Sequence, residues 1–170
     1  MELTARIETL ELAETFVISR ESQDVAEVVQ VELRHDGVSG FGEGAPIERY
    51  DESARSALAW LDGLQLGDDP WALDAIEERL PPGEQAARAA VDAALHDLQG
   101  KLVGQPVHRL LGLPRQGPPT SWTIWLGDPD DMARRTEKGA GRYRRLKLKL
   151  GVDDGVTICG PFWNATRPSM

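Results

Sequence analysis

The sequence predicts an α+β fold in which a three-stranded antiparallel meander and a helical bundle precede one β-α-β unit of a parallel sheet or barrel. Three observations predict it. Apolar and polar residues alternate on both sides of Asp36-Gly37. From Ala54 to Leu102 the apolar residues recur at helical spacing instead. Beyond a stretch rich in Pro and Gly, a strand, a helix and a strand follow within about 30 residues, the length of one βαβ unit.

The first strand covers Glu2 to Leu12, with Leu3, Ala5 and Ile7 on one face. Glu14 to Arg20 is expected to be a loop. Val29, Val31 and Leu33 then alternate with Gln30, Glu32 and Arg34, and Asp36-Gly37 supplies the two-residue hairpin turn, because Gly accepts the positive φ that such turns require. The return strand is Val38 to Glu43.

The first helix carries Ala54, Ala57, Leu58, Leu61 and Leu64, with Asp51 as the expected N-cap. Asp69-Pro70 announces a second helix, with a face of Leu73, Ile76 and Leu80 and a stop at Pro81-Pro82-Gly83. The third is the longest, an apolar stripe of Ala87, Val91, Ala94, Leu95, Leu98 and Leu102 whose alanines imply close packing. A short element from Gln105-Pro106 closes on Leu110-Leu111-Gly112. Pro114 to Pro119 reads as a linker. Thr120 to Leu126 is the next strand, Asp128-Pro129 caps a helix to Ala140, and Arg144 to Leu150 is the last strand. Val152 to Met170 has Gly and Pro breaks and no helical stripe, and reads as foreign to what precedes it.

Composition excludes several classes of function. With 19 Lys+Arg against 28 Asp+Glu the net charge is -9, which disfavours both a nucleic-acid groove and an anionic membrane surface. The N-terminal residues lack the basic and apolar regions of a signal peptide, and no apolar run approaches the ~20 residues of a membrane helix. One cysteine, Cys159, allows no internal disulfide and fits a reducing cytosol, so a cytoplasmic location is expected. Asn164-Ala165-Thr166 spells a glycosylation acceptor by chance.

The chemistry concentrates in Leu146-Lys147-Leu148-Lys149-Leu150. On a strand the two lysines share one face and the leucines the other. Ammonium groups held about 7 Å apart disfavour each other's charge, and partial burial acts in the same direction, the conditions under which a lysine serves as a base. An edge strand with one solvated face has the same alternation, its lysines guarding against aggregation. From alternation alone the edge strand is the simpler reading. Gly40-Phe41-Gly42-Glu43-Gly44 has glycines after a strand, but Pro46 intervenes before any helix and no βαβ unit encloses them, so a turn is expected rather than a dinucleotide loop. His35, His96 and His108 are too far apart in sequence to suggest zinc. Asp130-Asp131 sits in a helical first turn, where acids complement the dipole.

Taken in order, these elements resemble the enolase superfamily in its muconate-lactonizing-enzyme-like group. Three stretches carry the likeness. Gly42-Glu43-Gly44-Ala45-Pro46 with Tyr50-Asp51-Glu52 resembles the loop of the family's capping domain. Ala87 to Gly112 resembles its long helix and the Gly-x-Pro-x-x-x-Leu-Leu-Gly that follows, the most specific match. Thr120 to Ile124 with Leu146 to Gly151 resembles the first two barrel strands of the dipeptide epimerases.

The resemblance implies a capping domain over residues 1–118, the start of a (β/α) barrel over 119–151, and an atypical tail over 152–170. It implies a metal-assisted 1,1-proton transfer next to a carboxylate, on a dipeptide of the L-Ala-D/L-Glu type, with Mg2+ holding the enediolate charge. Lys149 matches the acid/base residue on one face of the substrate. Lys147 matches the partner that tunes it and helps to neutralise the substrate carboxylate. Arg20 and Thr123 match positions that touch the dipeptide, Arg20 by pairing with a carboxylate. The resemblance also places the three acidic magnesium ligands on the third to fifth barrel strands and the opposite-face lysine on the sixth. A full barrel takes ~250 residues, and only about 50 follow Pro118. No metal ligand is therefore assigned, and a chain truncated or frame-shifted after about residue 154 is expected, inactive by itself. No nucleic-acid or membrane partner is expected, and a homo-oligomer is left open. The alternatives are a non-catalytic capping-domain remnant or binding module, and among enzymes an o-succinylbenzoate synthase or a cycloisomerase.

Overall fold

The computed structural model describes residues 1–18 and 21–150. The residues expected to form the atypical tail, Cys159 and Asn164 among them, lie outside the described residues, as does Arg20. The chain divides into two compact units, Met1–Leu10 with Val25–Arg115, and Glu11–Asp24 with the residues from Gln116 on.

The strands β1 (Glu2–Ile18), β2 (Glu21–His35) and β3 (Val38–Gly44) form one antiparallel sheet in the order β1-β2-β3, of which Glu11–Asp24 belong to the second unit. The expected meander is present. Strands β2 and β3 pair in the register Val31↔Gly42 and His35↔Val38. Asp36 and Gly37 turn the chain with φ of 48° and 77°, the two positive values that a tight hairpin needs. The expected loop over residues 14–20 is corrected: β1 runs on to Ile18, and the Val17 carbonyl accepts a hydrogen bond from the Leu126 N–H at 2.9 Å. That bond joins residues distant in sequence, so no local pattern marks it.

The helices are α1 (Ala54–Leu61), α2 (Leu73–Glu77), α3 (Gln85–Leu102) and α4 (Val107–Leu110). Asp51 does not cap α1. It ends a short 3-10 turn, Glu48–Tyr50, at φ 59°, and Ser53 is the N-cap, closing a capping box with Ser56. The second helix begins at Leu73 rather than at Asp69-Pro70, because the Asp69 carboxylate accepts the Trp71 N–H and forms a turn there instead. Its buried residue is Ile76, while Leu73 is 43 % exposed, a correction to the expected face. Val29, Val31 and Leu33 of β2 meet Ala57 and Leu61 of α1 and Val91, Ala94, Leu95 and Leu98 of α3 in one core.

The return strand expected over Val38 to Glu43 is present as β3, which corrects the turn also expected at Gly40 to Gly44. These residues belong to β3, and Gly40, Gly42 and Gly44 all lie against the α3 backbone. The free edge of β3 is covered by α3 side chains: the Phe41 N–H donates to the Asp97 carboxylate at 2.8 Å, and Lys101 Nζ donates to the Ser39 carbonyl at 2.9 Å. Charged groups that occupy an edge in this way keep it from pairing with another chain.

In the second unit β4 (Ser121–Ile124), α5 (Pro129–Ala140) and β5 (Arg145–Leu148) form the expected β-α-β unit, with the two strands parallel. Asp128 caps α5 by accepting the N–H groups of Asp130 and Asp131, each at 3.0 Å, and Pro129 occupies the first helical position.

Candidate active-site face

The site is built from the two short parallel strands. Their register pairs Trp122 with Leu146, Thr123 with Lys147 and Ile124 with Leu148. Ile124 and Met132 are fully buried together, and Trp122 and Leu148 pack against them. Gly139 lets α5 come close, since a β-carbon there would stand 2.8 Å from Trp122 Cδ1 and 3.1 Å from Leu146 Cδ2. Trp122 also stacks on Tyr143 with ring centroids 4.9 Å apart. The alternate residues Trp122, Ile124, Leu146 and Leu148 therefore form the helix-facing side.

Strand alternation then sends Thr123 and Lys147 to the other side, next to each other across the ladder. Thr123 is half-buried and Lys147 exposed. Lys149 follows the end of β5 and is half-buried, and its backbone N–H donates to the Ile124 carbonyl at 2.9 Å, which prolongs the ladder by one bond. Three of the four residues singled out from sequence thus come from two adjacent strand ends. The fourth, Arg20, lies outside the described residues.

Arg145, opposite Ser121 in the register, shares the face of Lys147. Sequence reasoning stopped at the two lysines, although the same alternation places Arg145 two residues before Lys147 and makes the row one of three cations. Such a row attracts a carboxylate.

Among the described residues no group of three or more His, Cys, Asp or Glu side chains converges as a metal site would require. These residues do not fit the magnesium that the resemblance implies. A groove of about 330 Å³ lies where α3 meets α4, lined by Asp97, Lys101, Gln105 and Val107 among others. Its two charged groups are already paired, Lys101 Nζ lying 2.6 Å from Asp97, so it offers no free polar chemistry. No helix of the described residues is long and apolar enough to cross a membrane.

Comparison with known proteins agrees with this architecture. The family model described as the mandelate racemase / muconate lactonizing enzyme N-terminal domain matches residues 1–112. An L-Ala-D/L-Glu epimerase of Bacteroides thetaiotaomicron is 37 % identical over 151 residues, covering 85 % of this chain and 39 % of the relative. A crystal structure of an enolase family member from Agrobacterium tumefaciens, described as having homology to dipeptide epimerases and as bound to sodium and L-Ala-L-Glu, superposes with a TM-score of 0.77 at 37 % identity over 96 % of this chain and 50 % of that one. The dipeptide epimerase of Methylococcus capsulatus, complexed with Mg and L-Arg-D-Lys, gives a TM-score of 0.80 at 33 % identity over 90 % and 46 %. The chain spans about half the length of these proteins, or less.

Proposed function

The chain belongs to the mandelate racemase/muconate lactonizing enzyme family of the enolase superfamily, and from that premise we propose that it is the capping domain and barrel opening of a dipeptide epimerase. Residues 1–118 are the capping domain in this reading, and 119–151 the first β-α-β of the barrel. The substrate is a dipeptide of the L-Ala-D/L-Glu type, and the reaction inverts the carbon next to its carboxylate.

The observation that carries the reading is the register Thr123↔Lys147, on the side of the strands away from Trp122, Ile124, Leu146 and Leu148. A barrel active site gathers polar residues from the C-terminal ends of neighbouring strands. Lys149 removes or returns the α-proton on one face of the substrate. Lys147 holds positive charge beside it and draws in the carboxylate. Thr123 contacts the dipeptide from the adjacent strand, and Arg20 pairs with a substrate carboxylate. Magnesium, named with the dipeptide in the Methylococcus structure, supplies charge stabilisation to an enediolate in this chemistry. Because the described residues contain no group that fits it, no step is routed through it. That same observation favours a second reading, in which this polypeptide taken alone is non-catalytic.

A hybrid tests the proposal. Residues 1–151 replace the matching segment of the Bacteroides epimerase, and deuterium wash-in at the α-carbon of L-Ala-L-Glu is followed with magnesium. Incorporation by the hybrid, with none by the 170-residue chain alone, is the expected pair of results. A folded hybrid that incorporates no deuterium would overturn the assignment.

A further inference from the structure

The end of β1 belongs to the same compact unit as the β-α-β segment, and one side chain touches both. Arg135, from the middle of α5, lays its guanidinium over the Trp125 ring at 4.3 Å. Its Nε lies 3.5 Å from a Glu14 carboxylate oxygen. Phe16, two residues on from Glu14, meets the other partner of Arg135, its ring centroid 6.1 Å from that of Trp125. One residue beyond each, the Val17 carbonyl accepts the Leu126 N–H at 2.9 Å. Gly127 leaves room for the guanidinium, because a β-carbon there would stand 2.8 Å from Arg135 Nη1.

We propose that Arg135 is a latch that fastens residues 14–17 of the hairpin to the end of β4, through Glu14 on one side and Trp125 on the other. The chemistry favours arginine for this task. Its guanidinium is flat enough to stack on an indole and still presents an in-plane donor to a carboxylate, which a lysine ammonium cannot do at once. The ion pair alone would hold little, because Glu14 is 51 % exposed and such pairs are screened by water. The Arg135 side chain is only 20 % exposed, so stacking on the ring is the stronger half of the latch. The backbone bond between Val17 and Leu126 is then held closed by side chains that flank it on both segments. This device is independent of any catalytic role for the lysine face.

Amide hydrogen exchange at Leu126 reads the latch directly, since that N–H is bonded to the Val17 carbonyl. The Lys149 N–H, bonded to Ile124 in the same unit, is the internal control. In Arg135→Ala, exchange at Leu126 is expected to rise about tenfold while Lys149 stays within about twofold, because a local opening leaves the strand ladder closed. In Glu14→Gln a smaller rise, again confined to Leu126, is expected. An equal rise at Leu126 and Lys149 in Arg135→Ala would mean that Arg135 only stabilises the unit as a whole, and would overturn the latch. Should Arg135→Ala fail to fold, Arg135→Lys decides, since an ammonium cannot stack on the ring and reach the carboxylate at once: a rise at Leu126 alone supports the latch, and an unchanged Leu126 contradicts it.

Discussion

A β-carbon placed on Gly42 would stand 2.0 Å from the carbonyl oxygen of Ala90, closer than any real side chain can approach a backbone oxygen. The same contact recurs at Gly40, 2.2 Å from the Ala94 oxygen, and at Gly44, 2.0 Å from that of Ala86. Two residues of strand advance about 6.8 Å and four residues of helix about 6.0 Å. Every second residue of β3 can therefore meet every fourth residue of α3 along most of the strand. Glycine on the strand and alanine on the helix bring the two backbones together, and Asp97 and Lys101 of the same helix reach over to the strand edge.

Gly42→Ala is expected to destabilise the first unit by about 3 kcal/mol, the upper end of the usual cost of overpacking, because the obstacle is backbone rather than a side chain that can turn aside. Urea denaturation followed by circular dichroism measures it. Gly117→Ala is the control: nothing lies within 4 Å of its added carbon, and a change within about 0.5 kcal/mol is expected. Equal effects of the two substitutions would show that the close approach has no energetic weight.

This contact also marks where sequence reading stopped. Asp36-Gly37 and Asp128-Pro129 were legible because each works through the backbone of its own neighbours. So was the alternation at Lys147 and Lys149, whose opposite face is apolar in the sequence itself. The strand through these glycines was legible from Val38 to Glu43, but their purpose was not, since the reason for all three lies about 50 residues away in α3. A period of two in Gly40, Gly42 and Gly44 set beside a period of four in Ala86, Ala90 and Ala94 was the available signal. The bond between Val17 and Leu126 was hidden for a similar reason, as its two ends lie far apart in sequence. The cap of α1 is Ser53, which the expectation of Asp51 missed, and it is marked by its reciprocal bonds with Ser56.

The long helix is capped from a distance. Glu84, at its N-cap position, has φ 47° and makes no capping bond, and the Glu52 carboxylate accepts the N–H groups of Gln85 at 2.5 Å and Ala86 at 3.2 Å. Glu52→Ala is expected to cost about 1 kcal/mol, by loss of both bonds and of a negative charge at the positive end of the helix. Glu52→Gln, which keeps one acceptor, should lose less. If thermal unfolding finds Gln as costly as Ala, the charge outweighs the hydrogen bonds.

Asp68 introduces a pH dependence. A hydrogen bond from the Met1 amino group, and then that group's charge, hold its carboxyl below the ordinary value of 3.8. A carboxyl held low in the folded chain stabilises it fully above the unfolded value and loses that contribution as pH falls through the folded one. Asp68→Asn should therefore be less stable than the parent at pH 7, with the gap closing as pH drops below about 3.8. The gap at pH 7 is expected to be small and to shrink with salt, because the carboxylate is exposed. A gap that persists unchanged at pH 2 would assign the effect to something other than charge.

The central claim is that the strand face carrying Lys147 and Lys149 does chemistry. Its most direct test is epimerisation of L-Ala-L-Glu, with magnesium, by the hybrid of residues 1–151 and the remainder of the Bacteroides epimerase, with and without Lys149→Ala. A positioned acid/base group contributes about 10²–10⁴-fold, so the rate is expected to fall by at least about 10²-fold with the fold intact by circular dichroism. A Lys149→Ala hybrid that folds and epimerises at the parent rate would contradict the account.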